Sequence, residues 1–379
     1  MHIEIVGGGP AGLYFAILAK RLSRRHSVRV YERNPSNQFG GWGVILSKAT
    51  LANMRRADPI SYDRLQNFSS HPWEYIDIIR AHDALRVKSG GYIGIRRQDL
   101  LQVLGDRCRE LDVEIRFNRP ISNISDLASA DLVVGADGVN SAIRTLITSF
   151  QPTFSISANR YLWLGVPCRL DNLQMIFKAY GDGYFVAQTY PSGKEISTFV
   201  IECTYGAWLN SDLRYLDGGD VLHLLSNLFR NELRNHQLMS TDGAQWRQFV
   251  TVHNPVWHSG RTILLGDALH SIHFSVGSGT KLAVEDAVAL VECLRKFESQ
   301  GVGAVFDNYE RVRRSSSDSY QDISKKSYRW CEQLENVISL DIVPFTEQLL
   351  TRAGLYDRRT LALLAPEFSK MLREWKSRR

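Results

Sequence analysis

The chain has 379 residues, 44% of them apolar and 23% charged, with a formal net charge of +6, enough for two domains or one large domain with a sub-domain. The charge is interspersed and only mildly basic, which excludes the clustered surface of a nucleic-acid binder and leaves either a solvated Lys/Arg surface or an anionic substrate or cofactor. Five cysteines (Cys108, Cys168, Cys203, Cys293, Cys331), odd in number and without C-x-x-C spacing, suggest neither a disulfide framework nor a zinc site, which fits a reducing cytoplasm.

HIEIVG at 2–7 reads as a short buried strand. Residues 10–25 follow at helical period, with Phe15, Leu18, Ala19 and Leu22 on one face, and VRVYE at 28–32 is a second strand. The chain thus runs straight into a βαβ unit, with no signal peptide expected. DLVVGADG (131–138) and RTILLGDA (261–268) are two more buried strands, each ending in glycine and aspartate. Between them, RYLWLGVPC, LQMIFKAY, YFVAQTY and EISTFVIEC are aromatic and β-branched runs broken by GDG and PSGK, which predicts an antiparallel sheet over 160–205. From Thr280 to about Arg314 the period is helical again, and most of the remainder is helix. The tail LREWKSRR reads as a solvated basic helix end, and no apolar run approaches the roughly 18 residues of a membrane span.

The turn GGGPAG carries Gly7, Gly9 and Gly12 as G-x-G-x-x-G, with Pro10 and Ala11 between them, directly after a strand and at the start of a helix. Such glycines let backbone approach a pyrophosphate, and the helix N-terminus offers free N–H groups to it. Glu32 ends the next strand about 20 residues on, where a carboxylate accepts ribose hydroxyls. Arg33 either neutralises a phosphate or is solvated. The stretch GDALHSIHFSVGSGTKLAVEDA (266–287) sets Asp267, His270, His273 and Lys281 around a second glycine-rich turn. Its histidines at i, i+3 lie in a loop with no third ligand in convincing spacing, so no metal site is expected.

GGGPAG, DLVVGADGVNSAIR and the GD segment, in that order and around an antiparallel insertion, resemble the FAD-dependent aromatic hydroxylases, the group A flavoprotein monooxygenases, over essentially the whole chain. The resemblance implies an α/β fold: a Rossmann-like FAD-binding domain of the para-hydroxybenzoate hydroxylase type, a mostly antiparallel β-sheet substrate domain and C-terminal helices. It sets a discontinuous FAD-binding domain at 1–65, 92–150 and 255–335, a substrate domain at 66–91 and 151–254, and a helical segment at 336–379. It implies that Asp267 contacts the FAD ribityl chain, that Asp137 and Gly138 lie beside the pyrophosphate groove, and that Arg97 lies near the phosphates. It also implies that the helix start at Gly277, Gly279 and Thr280 points its dipole at the pyrimidine edge of the flavin.

Two positions depart from the common pattern. His273 stands where a proline is usual, and Lys281 where an asparagine is usual. With GGWGVILSKATLANMRRADP, GYIGIRRQDLLQVL, NRYLWLG, ISTFVIEC and LLTRAGLYDRRTL, these departures are similar to the subgroup acting on aroyl-CoA thioesters. The implied reaction is NAD(P)H-driven hydroxylation through a flavin C4a-hydroperoxide, with NADH or NADPH as electron donor and molecular oxygen as co-substrate. The expected reaction is 5-hydroxylation of salicylyl-CoA to gentisyl-CoA, or of a related aroyl-CoA. A free aromatic or tryptophan-derived indole substrate is the alternative, and a non-oxygenating flavin reductase the second. His273 is expected either to polarise the phenol and assist proton transfer or to be packed in its turn. His270 is read as structural. Lys281 either caps negative charge at the flavin or lies at the surface. Trp42 either walls the flavin or substrate or is packing, and Tyr161, Trp163 and Phe185 line the aryl pocket or the sheet core. The expected partner is a small aromatic molecule, as a CoA thioester, with no nucleic acid and no membrane, in a monomer or homodimer.

Overall fold

In the computed structural model, residues 1–38 and 40–378 are described; Phe39 and the terminal Arg379 of the basic tail lie outside the described residues. The chain forms β1 (His2–Val6), α1 (Pro10–Leu22), β2 (Ser27–Tyr31), β3 (Gly43–Ser47), α2 (Lys48–Ala57), α3 (Pro59–Phe68), β4 (Trp73–Ile79), β5 (Ala84–Arg96) and α4 (Arg97–Glu110). It continues with β6 (Glu114–Arg116), β7 (Leu132–Gly135), α5 (Ala142–Leu146), β8 (Thr153–Val166), β9 (Leu173–Tyr180), β10 (Gly183–Pro191), β11 (Ser197–Cys203), α6 (Tyr205–Leu209), α7 (Gly218–Leu228) and β12 (Arg247–His253). Last come β13 (His258–Ser259), β14 (Thr262–Leu264), α8 (Gly279–Phe297), α9 (Val302–Glu332), α10 (Ile342–Thr351), α11 (Arg358–Leu364) and α12 (Pro366–Ser377).

The first sheet has the order β13-β14-β7-β1-β2-β6 and is parallel except at β13. Parallel strands are covered on both faces, and Ile3, Glu4 and Ile5 of β1 are accordingly all buried. α1 is buried along ten of its thirteen residues because it packs between this sheet and α8. The helical period read to residue 25 stops earlier: Ser23 is extended, and its amide donates to the Ala19 carbonyl. The period read through Arg314 is likewise interrupted, since Gly301, at φ 92°, separates α8 from α9.

The second sheet has the order β12-β8-β11-β10-β9-β4-β5-β3 and is antiparallel except between β4 and β9. β3 hydrogen-bonds to β5 in this sheet, although its residues lie in the 1–65 segment grouped with the FAD-binding parts. One face carries Leu162, Leu164, Phe185, Phe199 and Ile201 and is covered by α6 and α7. The other carries Ile78, Met175, Phe177 and Val186 and is covered by α10, α11 and α12. The C-terminal helices therefore lie on the sheet face opposite α6 and α7.

Candidate functional site

A cleft of about 810 Å³ opens at the carboxyl ends of β1, β2 and β7, where an open parallel sheet presents helix N-termini. Its walls include Gly7, Gly9, Pro10, Ala11, Glu32, Arg33, Arg97, Asp137, Gly138, Asp267, Gly279 and Thr280. The three glycines of the first turn do different work. Gly7 sits at φ 115°, and a Cβ there would lie 2.2 Å from the Ala136 carbonyl oxygen. A Cβ on Gly12 would lie 2.1 Å from the Gly7 carbonyl oxygen. Above Gly9 there is open space, with nothing within 4 Å. Gly7 and Gly12 thus close the backbone on itself, while Gly9 keeps the cleft floor bare. No side chain caps α1 and its first turn holds no acidic residue, so its positive end is available to an anion.

Glu32 accepts from the Gly8 amide through Oε2, and from the backbone and side-chain nitrogens of Asn34 through Oε1, each at 2.8 Å. A carboxylate has about four acceptor positions, so one remains for a sugar hydroxyl. Asp137 accepts from Ser141 Oγ at 2.5 Å and from the Ala142 amide at 2.7 Å, which fixes the turn carrying Gly138 at φ 80°. Arg144 was not singled out from the sequence, although it ends DLVVGADGVNSAIR. It is buried, donates to the Ala268 carbonyl at 2.8 Å and to the Val139 carbonyl, and so ties this turn to the Asp267 turn.

Asp267 and Arg97 share the cleft. Asp267 is open to the cleft yet enclosed by protein; burial raises its carboxyl pKa against the opposing charges of His270 and Arg97. Burial likewise lowers the Arg97 pKa, against Asp267 and Glu32. The cleft therefore offers a cation for phosphates and two carboxylates for hydroxyls. Behind Asp267, His270 Nε2 lies 2.9 Å from Asp286 Oδ2, off the line of the ring N–H, and Arg313 Nε donates to Asp286 Oδ1 at 2.9 Å. Burial opposes the charge on Asp286, but His270 and Arg313 outweigh it and hold its pKa down. Asp286 in turn holds the His270 pKa up despite burial. His270 is buried against Asp286 and does not line the cleft.

His273 lies outside the cleft walls. It is 1% exposed, and its Nδ1 accepts from the Ser275 amide at 3.2 Å, capping the turn Phe274–Val276. Its ring packs on Phe249, Phe274 and Tyr328. Burial, with Arg352 nearby, pushes its pKa down to about 3. Charging it would cost about 5 kcal/mol more than in water, so it is a neutral turn residue at physiological pH. The packed alternative thus fits the geometry better than proton transfer.

Lys281 also lies outside the walls, 2.7 Å from Glu285 and over the Tyr320 ring at 4.3 Å, with its charge compensated. Gly277, at φ 61°, ends the His273 turn and faces Ile45 rather than the cleft. Trp42 packs so closely on Gly165 that a Cβ there would meet its ring at 2.3 Å, and Trp163 packs in return on Gly41. The GGWGV stretch is thus packed against β8 of the second sheet. Tyr161 packs at a tilt on Phe274, 4.9 Å between ring centres, whereas Phe185 belongs to the core beneath α6 and α7, away from the cleft. Among the described residues there is no candidate metal cluster, and no helix is long and apolar enough to cross a membrane.

The family described as FAD binding domain matches residues 95–323, and that described as NAD(P)-binding Rossmann-like domain matches residues 5–44. The chain is 35% identical to salicyloyl-CoA 5-hydroxylase of Streptomyces sp, over 93% of this chain and 70% of that protein. It is 31% identical to 3-hydroxy-4-methyl-anthranilyl-[aryl-carrier protein] 5-monooxygenase of Streptosporangium sibiricum, over 96% and 97%. It is 30% identical to protodeoxyviolaceinate monooxygenase of Chromobacterium violaceum, over 93% and 94%. The fold is that of 2-methyl-3-hydroxypyridine-5-carboxylic acid oxygenase, with TM-score 0.71 at 19% identity over 95% of both chains. The bare floor at Gly9, the uncapped α1 terminus and the paired cation and carboxylates fit FAD.

Proposed function

The chain belongs to the FAD-dependent aromatic monooxygenases, and from that premise we propose that it hydroxylates an aroyl thioester, salicylyl-CoA at ring carbon 5 or a related aroyl-CoA, using NAD(P)H. Bound FAD, reduced by the nicotinamide, would activate dioxygen and supply the oxygen atom that enters the ring. The protein holds that group and arranges its surroundings. The α1 N-terminus above Gly9 takes the pyrophosphate, Glu32 the ribose hydroxyls, Asp267 the ribityl hydroxyls, and Arg97 a phosphate. The start of α8 has neither a side-chain cap nor an acidic residue in its first turn. Its positive end stabilises negative charge placed against Gly279 and Thr280. The tilted and edge-on rings of Tyr161, Phe249 and Phe274 pack together and exclude water beside that turn.

The observation that carries the thioester reading is the pair of relatives at 35% and 31% identity, both named for acyl groups held on a carrier and both for attack at position 5. In a salicyloyl or anthranilyl ring, position 5 is para to the donor at position 2, the carbon such a donor activates. The net basic charge suits the anionic carrier. The relative named for protodeoxyviolaceinate keeps an indole-derived substrate as the second reading. NAD(P)H oxidation with salicylyl-CoA, free salicylate and an indole acid, each with product analysis, separates the two. Turnover and a hydroxylated product with the thioester alone support the proposal, and hydroxylation of a free acid in its place overturns it.

A further inference from the structure

The turn between His273 and Gly277 is held from outside the nucleotide-binding sheet, by α9 and α10. Ser324 Oγ on α9 accepts from the His273 amide at 2.7 Å, and Ser327 Oγ lies 2.9 Å from Ser275 Oγ. Arg352, at the C-terminal end of α10, completes the clamp. Its Nε donates to Ser327 Oγ at 3.0 Å, its Nη2 to the Ser275 carbonyl at 2.9 Å, and its Nη1 to the Leu349 carbonyl. The fork is spent on a hydroxyl and two carbonyls, not on a carboxylate. Lys281, by contrast, spends its charge on Glu285. Two residues beyond the clamped turn, Gly279 and Thr280 enter the cleft wall.

We propose that Arg352 is a positioning residue for the flavin. Through Ser275 and Ser327 it fixes where the Phe274–Gly277 turn stands, and hence where Gly279, Thr280 and the α8 terminus meet the ring. This makes the C-terminal helices part of the cofactor site although none of their residues lines the cleft. The inference rests on the flavin lying against Gly279 and Thr280. The guanidinium matters as a fork: a lysine places one compact cation and cannot serve the hydroxyl and the carbonyls together.

The test measures the FAD dissociation constant and the visible circular dichroism of the bound flavin for Arg352→Met, Arg352→Lys and Ser327→Ala, with melting temperature alongside. Loss of charge-assisted hydrogen bonds predicts an FAD dissociation constant raised roughly tenfold in both Arg352 variants, with an altered flavin spectrum and no rescue by lysine. Ser327→Ala, the milder change, shifts the spectrum in the same direction. Parental FAD affinity and spectrum in all three variants, whatever their melting temperatures, would overturn the proposal. Neither readout needs the substrate. Asp267→Ala serves as a control: if it also keeps full FAD, the cofactor-site reading has failed rather than this one.

Discussion

Gly12 lies so close to Gly7 that a Cβ on Gly12 would come within 2.1 Å of the Gly7 carbonyl oxygen. The helix and the turn preceding it are locked without any cofactor, whereas Gly9, two residues beyond Gly7, faces open space. Gly12→Ala should therefore destabilise the ligand-free fold by several kcal/mol, as an overpacked backbone contact does. Gly9 has φ −79°, which alanine adopts freely, so Gly9→Ala should leave the ligand-free melting temperature unchanged and weaken FAD binding more than tenfold. Paired thermal melts and FAD titrations check this, and equal loss of stability in both variants contradicts it.

Asp267→Ala should lose most of the bound flavin, read as flavin absorbance per protein. Asp267→Asn adds a sharper expectation. The raised pKa of Asp267 means the folded chain holds a proton more tightly than the unfolded chain, so ionisation at neutral pH costs the ligand-free fold stability. Asn removes that cost. The ligand-free melting temperature should rise while FAD affinity falls, a trade typical of functional sites. A fall in both would assign Asp267 a structural part instead.

Glu202 is buried on β11 with Asn159 Nδ2 donating to it at 2.7 Å, and burial, with Glu332 adding to it, lifts its pKa to about 7. Between its ordinary value of 4.5 and about 7, the folded state binds a proton that the unfolded state has lost. Stability should thus decline across that window as pH rises, by roughly 3 kcal/mol in the limit. Glu202→Gln abolishes the decline. Relative to the parent, the variant should gain stability between pH 5 and pH 8 in denaturant melts; a constant offset would show that Glu202 does not titrate there.

For His273, the low pKa and the bond to the Ser275 amide predict that His273→Asn, which can also cap the turn, keeps both FAD and the pH dependence of turnover from pH 5 to 9. His273→Ala should lose the cap and about 1 kcal/mol of stability. An inflection near neutrality that vanishes in the Asn variant would restore a proton-transfer role.

The cofactor cleft was legible because its parts are local. A glycine turn between strand and helix, a carboxylate at the next strand end and a GD turn are each readable within ten residues, and Gly9, Glu32, Asp137 and Asp267 do meet in one cleft. The residues whose sequence reading stayed open between two roles draw much of their environment from far away in sequence. His273 is packed by Ser324 and Phe249, Trp42 by Gly165, and Lys281 by Tyr320 as well as by its helical neighbour Glu285. Arg352 lies 77 positions from the carbonyl it holds, and no periodicity marks it. The pairing of β3 with β5 was hidden for the same reason: five apolar-rich residues after a nucleotide-binding turn do not say which sheet they join.

The central claim is monooxygenation of a carrier-bound aromatic ring, and labelled dioxygen tests it most directly. The FAD-loaded protein is given NAD(P)H, salicylyl-CoA and isotopically labelled dioxygen, and the product is read by mass spectrometry. The account predicts one labelled oxygen on ring carbon 5, with one NAD(P)H consumed per product, and none from free salicylate. NAD(P)H consumption that yields only peroxide, or label entering the free acid as readily as the thioester, would contradict it.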